Sequence, residues 1–436
     1  MSKSYFYYRV WRWHFYAGLI AIPVFLTLAV TGSIYLFKPQ LDPIVYSQLL
    51  RVTPESSVLV DSDLVAEAKR QFPEAQVEYY IPQDAPQTSA AIGMVGSDKS
   101  KFDVFINPYT GKFLGKRDQE SYYQNVVKKI HGELLLGEKG DWIIELVSCW
   151  GLILILTGLY LWWPRDKKIY GVWIPRLREG KRTFWRDLHA VIGVYSSIFI
   201  CFLIITGLPW SGFWGDRIAK VWTRFPDQQY TNVPQSNILA KELNQGEQIV
   251  PWAVENSKLP LSVINGKNQI SIDAITQYAR EKKAPAGYKI AYPKGETGIF
   301  TVSAFPGDPK KEITIHIDQY SGKVLADINY SHYSAFAKAV EYGIALHQGQ
   351  YFGWLNQLIA FLTCLALIVI CISGAIMWWK RKPQKGLGVP PEVAPEKRSP
   401  LATWIILGVF AVAFPLVGIS LVVVFLIDWS FRYFDS

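Results

Sequence analysis

Four of the six histidines in this 436-residue chain recur at matched spacing. His14 is followed by Gly18 and Thr31-Gly32, and His189 by Gly193 and Thr206-Gly207, at the same offsets. His131 is followed by Gly137, Gly158 and Trp162-Trp163, and His347 by Gly353, Gly374 and Trp378-Trp379, again at equal offsets. Imidazole is a common axial ligand of haem iron, and two imidazoles on opposite faces of a flat macrocycle complete such a site. Zinc needs four N or S ligands, or three and a water, which paired histidines without nearby cysteines or carboxylates do not supply. A lone histidine near a bilayer is ordinarily a packing or interface residue. The matched set of four points instead to ligation, because ionisable groups in or beside a membrane are costly and usually functional.

The elements that carry these histidines are apolar. Half the residues are hydrophobic and only 19% are charged, which excludes a disordered chain or a nucleic-acid-binding tail. Five stretches, Phe15–Phe37, Trp142–Trp163, Ala190–Trp210, Leu355–Trp379 and Leu401–Ile427, are each long enough to cross a bilayer as a helix. The first has too long an apolar run for a signal core and no small-residue cleavage site, so it is expected to remain as a helix. All four cysteines fall in these stretches, so no disulfide is expected in the soluble parts. Glu145 is the only charge inside the stretches and reads as an interfacial carboxylate.

Charge sets the orientation. The three short segments 1–13, Pro164–Asp187 and Lys380–Pro400 carry +12 between them, and the remainder of the +9 chain carries −3. Short basic segments beside membrane spans stay in the cytoplasm, so Lys38–Asp141 and Ser211–Trp354 are predicted outside. Setting orientation is the preferred account of the basic loops, with anionic-lipid binding a lesser one.

The outer segments repeat too. A helix at Asp61–Gln71, strands at Gln76–Ile81, Ser89–Met94 and Lys101–Asn107 and a Tyr109-Thr110-Gly111-Lys112 turn are matched by a second set. That set is a helix at Ile272–Lys283, strands at Gly287–Tyr292, Gly298–Ala304 and Glu312–Asp318, and the turn Tyr320-Ser321-Gly322-Lys323. Glycine in such a turn supplies a positive φ.

The predicted architecture is an α-helical membrane protein with five transmembrane helices. It is a parallel repeat of helix, outer α+β domain, helix, written twice, plus one extra C-terminal helix whose expected role is lateral packing. In numbers this is 1–40 (cytoplasmic N-terminus and helix 1), 41–141 (outer domain 1), 142–163 (helix 2), 164–188 (basic loop) and 189–210 (helix 3). There follow 211–353 (outer domain 2), 354–379 (helix 4), 380–400 (basic loop), 401–427 (helix 5) and 428–436 (outer tail). Parallel repeats face each other across an axis along the membrane normal, which sets His14 opposite His189 on the cytoplasmic side and His131 opposite His347 on the outer side. Gly18 and Gly193, one turn beyond their histidines, let a flat group approach the helix; close packing of small residues between helices explains them equally well. His316 and His332 have no match, and His316 is expected to be an exposed strand residue. The Trp pairs read as interface anchors. Trp210, Trp214 and Trp222 are candidates for a substrate surface between the outer domains and the outer haem, with interface anchoring the preferred account.

Arg12-x-His14-x-x-x-Gly18, His131 with Gly137, Thr157-Gly158 and Trp162-Trp163-Pro164-Arg165, His189-x-x-x-Gly193, His347 with Gly353, and the Thr-Gly-Lys and Ser-Gly-Lys turns form one pattern over about residues 5–385. It resembles the PepSY-associated transmembrane proteins, which include inner-membrane ferric-siderophore reductases of the ferrioxamine type. The resemblance implies two PepSY-like outer domains, two b-type haems and His14, His189, His131 and His347 as axial ligands. It also implies a bacterial inner-membrane location and reduction of an external ferric siderophore or other ferric chelate. This chain departs from the resemblance in helix 5, which follows Arg381 in place of a recognisable fused flavin or NAD domain, leaving a membrane quinol or a separate cytoplasmic reductase as donor. The expected activity is electron transfer from the His14/His189 haem to the His131/His347 haem and on to the chelate, with no catalytic acid or base and no nucleic acid involved. Two rivals are a non-enzymatic PepSY-type regulator, which needs no matched histidines, and a haem or siderophore transporter, which needs polar or broken helices at mid-membrane.

Overall fold

The protein is described by a computed structural model covering residues 5–164, 169–215, 217, 232–244, 248–264, 268–382 and 401–434. Its helices are α1 (Tyr5–Leu36), α2 (Lys38–Val45), α3 (Ser47–Leu50), α4 (Asp61–Gln71), α5 (Tyr123–Glu133), α6 (Glu138–Trp162), α7 (Lys181–Gly207), α8 (Ile272–Glu281), α9 (Ala335–His347), α10 (Trp354–Arg381), α11 (Leu401–Ala413) and α12 (Pro415–Phe434). The strands are β1 (Gln76–Ile81), β2 (Ala90–Val95), β3 (Lys101–Ile106), β4 (Phe113–Asp118), β5 (Gln235–Leu239), β6 (Lys258–Pro260), β7 (Lys289–Ala291), β8 (Ile299–Ala304), β9 (Ile313–Asp318) and β10 (Val324–Asn329). The chain divides into a helical unit (1–34, 127–216 and 358–436) and a sheet unit (35–126 and 217–357).

In the helical unit, the helices containing Phe6–Leu36, Glu138–Trp162, Lys181–Trp210 and Trp354–Arg381 are long and apolar enough to cross a membrane. α1, with 32 residues, is about 48 Å long against a hydrocarbon core of about 30 Å. Ala21, Phe25, Val147 and Cys371 are buried between α1, α6 and α10. A Cβ on Gly151 would lie 2.7 Å from the Phe25 ring, so this glycine is what lets α6 close on α1.

The expected fifth span, Leu401–Ile427, is not one helix. Pro415 begins α12 without an N–H to continue the ladder from α11, and the chain bends sharply there. A Cβ on Gly418 would lie 3.0 Å from the carbonyl oxygen of Ala411; seven residues of straight helix would separate those positions by about 10.5 Å. α12 packs on α6, with Val417 buried beside Cys149 and the Trp150 indole N–H donating to Ser420 at 3.3 Å.

Among the described residues, the sheet unit holds an antiparallel sheet of eight strands in the order β10-β9-β8-β7-β1-β2-β3-β4 and a separate two-stranded β5-β6 pair. The two sequence repeats therefore meet edge to edge, with Tyr79 paired to Ala291 and Tyr80 to Ile290. α4 and α8 cover the same face and share one core, in which Leu64, Val65, Ile272 and Ile275 pack over Tyr80, Ile92, Val104, Ile290, Phe300 and Ile315. Period-two alternation explains β3, whose Phe102, Val104 and Ile106 enter this core while Asp103 turns to the other face, where it bonds Tyr79 and Gln119. Gly111 and Gly322 both take φ of +70°, as the turn sequences require. β4 and β10, which follow those turns, complete the two hairpins.

His316 corrects its expected exposure. It is fully buried, its Nδ1 2.9 Å from the Thr301 hydroxyl, because the second repeat covers the other sheet face with Ala253, Val254, Tyr333 and Ala337. Burial holds its basicity far below the usual histidine range, to about 3.

Candidate functional site

His14 lies in the third turn of α1 and His189 in the third turn of α7. Their ring centres are 6.3 Å apart and the ring planes cross at 89°. Rings joined by a direct N–H···N hydrogen bond of about 2.9 Å have centres roughly 5.1 Å apart. A metal–imidazole bond of about 2.0 Å, with about 1.1 Å from nitrogen to ring centre, sets two imidazoles on one metal about 6.2 Å apart. The observed spacing fits the second arrangement.

The other edge of each ring is fixed by the second helix of its own repeat. His14 Nδ1 is 2.9 Å from the Thr157 hydroxyl, which itself donates to the Ile153 carbonyl at 2.7 Å. A hydroxyl has one proton, so Thr157 accepts and His14 carries its proton on Nδ1. His189 Nδ1 faces the Ile370 carbonyl at 3.0 Å, an acceptor only, and the Ser373 hydroxyl at 3.2 Å, which donates to Val369. Both rings thus present an unprotonated Nε2, the tautomer a metal ligand requires. Gly158 and Gly374 follow those hydroxyl residues and make room for the rings: a Cβ would sit 3.2 Å from His14 Cε1 and 3.5 Å from His189 Cε1.

The same arrangement recurs at His131, on α5. Its Nδ1 is 2.9 Å from Thr31, whose hydroxyl donates to Thr27 at 2.6 Å, and a Cβ on Gly32 would lie 3.4 Å from its Cε1. Thr31 stands seventeen residues beyond His14 on α1, about 25 Å along the axis. Within the helical unit, histidines therefore sit at two well-separated levels. Leu134, Leu135 and Gly137, all with positive φ, turn the chain from α5 into α6. His347 is the last residue of α9, in the sheet unit.

Gly18 and Gly193 lie one turn from His14 and His189 on the same helix faces. A Cβ on Gly193 would meet nothing within 4 Å, and one on Gly18 only Leu154 at 3.8 Å. Among the described residues, no three His, Cys, Asp or Glu side chains gather as a tetrahedral zinc site needs.

These features occupy the stretch that decides the family. The chain belongs to the PepSY-associated TM region family. The family model matches residues 11–381, which include all four repeated histidines and exclude α11 and α12. No curated protein matches the sequence. With four long apolar helices among its described residues, this family member is a membrane protein.

The remaining candidates have structural explanations. Glu145 is buried and accepts the backbone N–H groups of Phe213 at 2.8 Å and Trp214 at 3.2 Å, as a helix-start cap does. Trp210 ends a short 3-10 turn after α7, and Trp222 lies outside the described residues. The hydroxyl-glycine pairs Thr157-Gly158, Ser373-Gly374 and Thr31-Gly32 hold the histidine rings, a role not evident from the sequence alone. Their signal was their fixed offset from each histidine.

Proposed function

We propose that this membrane protein carries electrons through bis-histidine haem to a ferric chelate. The observation that carries the reading is the 6.3 Å spacing of His14 and His189, each locked in the Nδ1–H tautomer. Haem b bound there supplies a one-electron carrier whose iron changes valence without moving a proton. The chain's own residues hold and orient: Thr157, Ser373 and the Ile370 carbonyl fix the rings, Gly158 and Gly374 admit them, and the apolar helices keep water from the pair. A second haem, between His131 and His347, rests on the sequence repeat and on the tautomer that Thr31 imposes on His131.

In this reading the protein lies in the bacterial inner membrane with its basic segments cytoplasmic. A quinol or a cytoplasmic reductase donates, and a ferric siderophore outside is the substrate. Its iron, once Fe(II), is held weakly by hard oxygen donors and leaves. The test is the visible spectrum of the full chain purified from haem-replete cells. Two low-spin haems per chain, reduced by dithionite and reoxidised by a ferric siderophore, are expected. A colourless protein that takes up no added haem overturns the proposal and favours a PepSY-type regulator; haem that a ferric chelate does not reoxidise favours haem carriage without the reductase step.

A further inference from the structure

Arg182 lies seven residues before His189 on α7, and Arg381 lies seven residues after Gly374 on α10. Seven residues are two helical turns, about 10.5 Å, and return to nearly the same face. Each arginine therefore stands on the face of its helix that carries the His189 ring or the glycine beneath it, displaced toward the same end of the pair. The Arg381 guanidinium is half-buried and lies over the rings of Phe15 at 4.7 Å and Trp11 at 5.2 Å, the α1 residues on either side of His14. α7 and α10 thus each place an arginine about two turns from the histidine pair, toward the same end, and the Arg381 guanidinium reaches the aromatic residues of α1 beside His14.

Guanidinium forks match carboxylates in geometry, and do so best where water is partly excluded. A haem between His14 and His189 has two carboxylates, both on one edge. We infer that Arg182 and Arg381 form the carboxylate-binding end of this site, reading the haem propionates and so fixing which edge of the macrocycle faces the N-terminus of α1. This inference rests on the haem reading above and adds to it a defined anion subsite.

The experiment compares haem with haem dimethyl ester, whose carboxylates are capped, on the full-length apoprotein in detergent, following the spectral component that His14→Ala removes. The wild-type chain is expected to bind haem about tenfold more tightly than the ester, as one or two charge-assisted hydrogen bonds imply. Arg182→Ala with Arg381→Ala should abolish that preference, and Arg381→Lys should retain part of it. Equal binding of the two ligands by the wild-type chain overturns the inference, and assigns the arginines to another anion such as a lipid phosphate; so does a double variant that keeps the full preference. A wild-type chain that binds neither ligand overturns the haem reading itself, and the two failures are distinct. The wild-type comparison needs no variant to fold.

Discussion

The hydroxyl of Thr157 meets Nδ1 of His14 at 2.9 Å across 143 positions of sequence, and Ser373 meets His189 at 3.2 Å across 184. In both cases the hydroxyl's own proton is spent on its helix backbone. Removing such an orienting group typically weakens metal affinity 10- to 100-fold. Thr157→Val is therefore expected to lower haem retention at the proposed His14/His189 site by about that factor, and Thr157→Ser to restore it. Haem per chain after gel filtration reads this out. Unchanged retention in Thr157→Val would show that the hydroxyl does not position the ring. Ser373→Ala should do less, because the Ile370 carbonyl still accepts from His189.

The glycines beneath the rings should rank by the space they leave. A Cβ at Gly158 comes within 3.2 Å of His14 Cε1, against 3.5 Å for Gly374 and His189. Gly158→Ala should displace its ring and lower the haem midpoint potential or occupancy more than Gly374→Ala, which adds only an ordinary contact. Redox titration of the two variants checks the order, and the reverse order contradicts it.

In the sheet unit, Asp61 joins the two repeats. Its carboxylate accepts the fully buried Tyr80 hydroxyl at 2.5 Å and the Arg280 guanidinium at 2.8 Å. Asp61→Ala strands the phenol, and a buried unpaired hydroxyl costs about 1–3 kcal/mol. The Arg280 side chain is 62% exposed and adds little. A loss of about 2 kcal/mol, seen as faster amide exchange in β1, β7 and α4 of the full chain, is expected; Arg280→Ala should cost well under half of that.

Buried acids make the sheet unit sensitive to pH. Burial and the neighbouring Glu341 raise the proton affinity of Glu312 well above the carboxylate range, and burial lifts Glu341 to about 8. A carboxyl whose folded pKa is raised holds its proton better folded than unfolded, so stability falls as pH rises from about 4.5 to about 8. His316 works in the opposite sense: it resists protonation when folded, so its contribution is lost as pH falls below its unfolded value near 6.5. As pH rises from 6.5 to 8 the histidine contribution fades and the acids come to dominate. Amide exchange in α9 should quicken across that interval, by up to about 1.4 kcal/mol per pH unit for one proton, and Glu341→Gln should flatten the slope. A variant as steep as the wild type contradicts this.

Much of this was legible in the sequence. The apolar runs gave α1, α6, α7 and α10, because a span must satisfy its own backbone and its signal is local. Helix α4, strand β1 and the two glycine turns fell where periodicity and turn chemistry put them. β4 and β10 were missed: FLGKRD and VLADIN alternate weakly and are defined by pairing with β3 and β9. His316 was misread because one strand's alternation does not reveal that the second repeat covers both sheet faces. Pro415 sat inside a run whose hydropathy masked the break. The hydroxyl-glycine pairs were visible as markers, but their contact with rings more than a hundred residues away is a tertiary fact, and serine at 373 hid its equivalence to Thr157.

The seam between β1 and β7 has a bearing on how the molecule can work. Were the two repeats to rock apart, as carriers do when they expose cargo first to one side and then the other, the ladder holding Tyr79 to Ala291 and Tyr80 to Ile290 would have to unzip on every cycle. The proposed electron carrier asks no such parting of this seam, since an electron can hop through a scaffold that stays still.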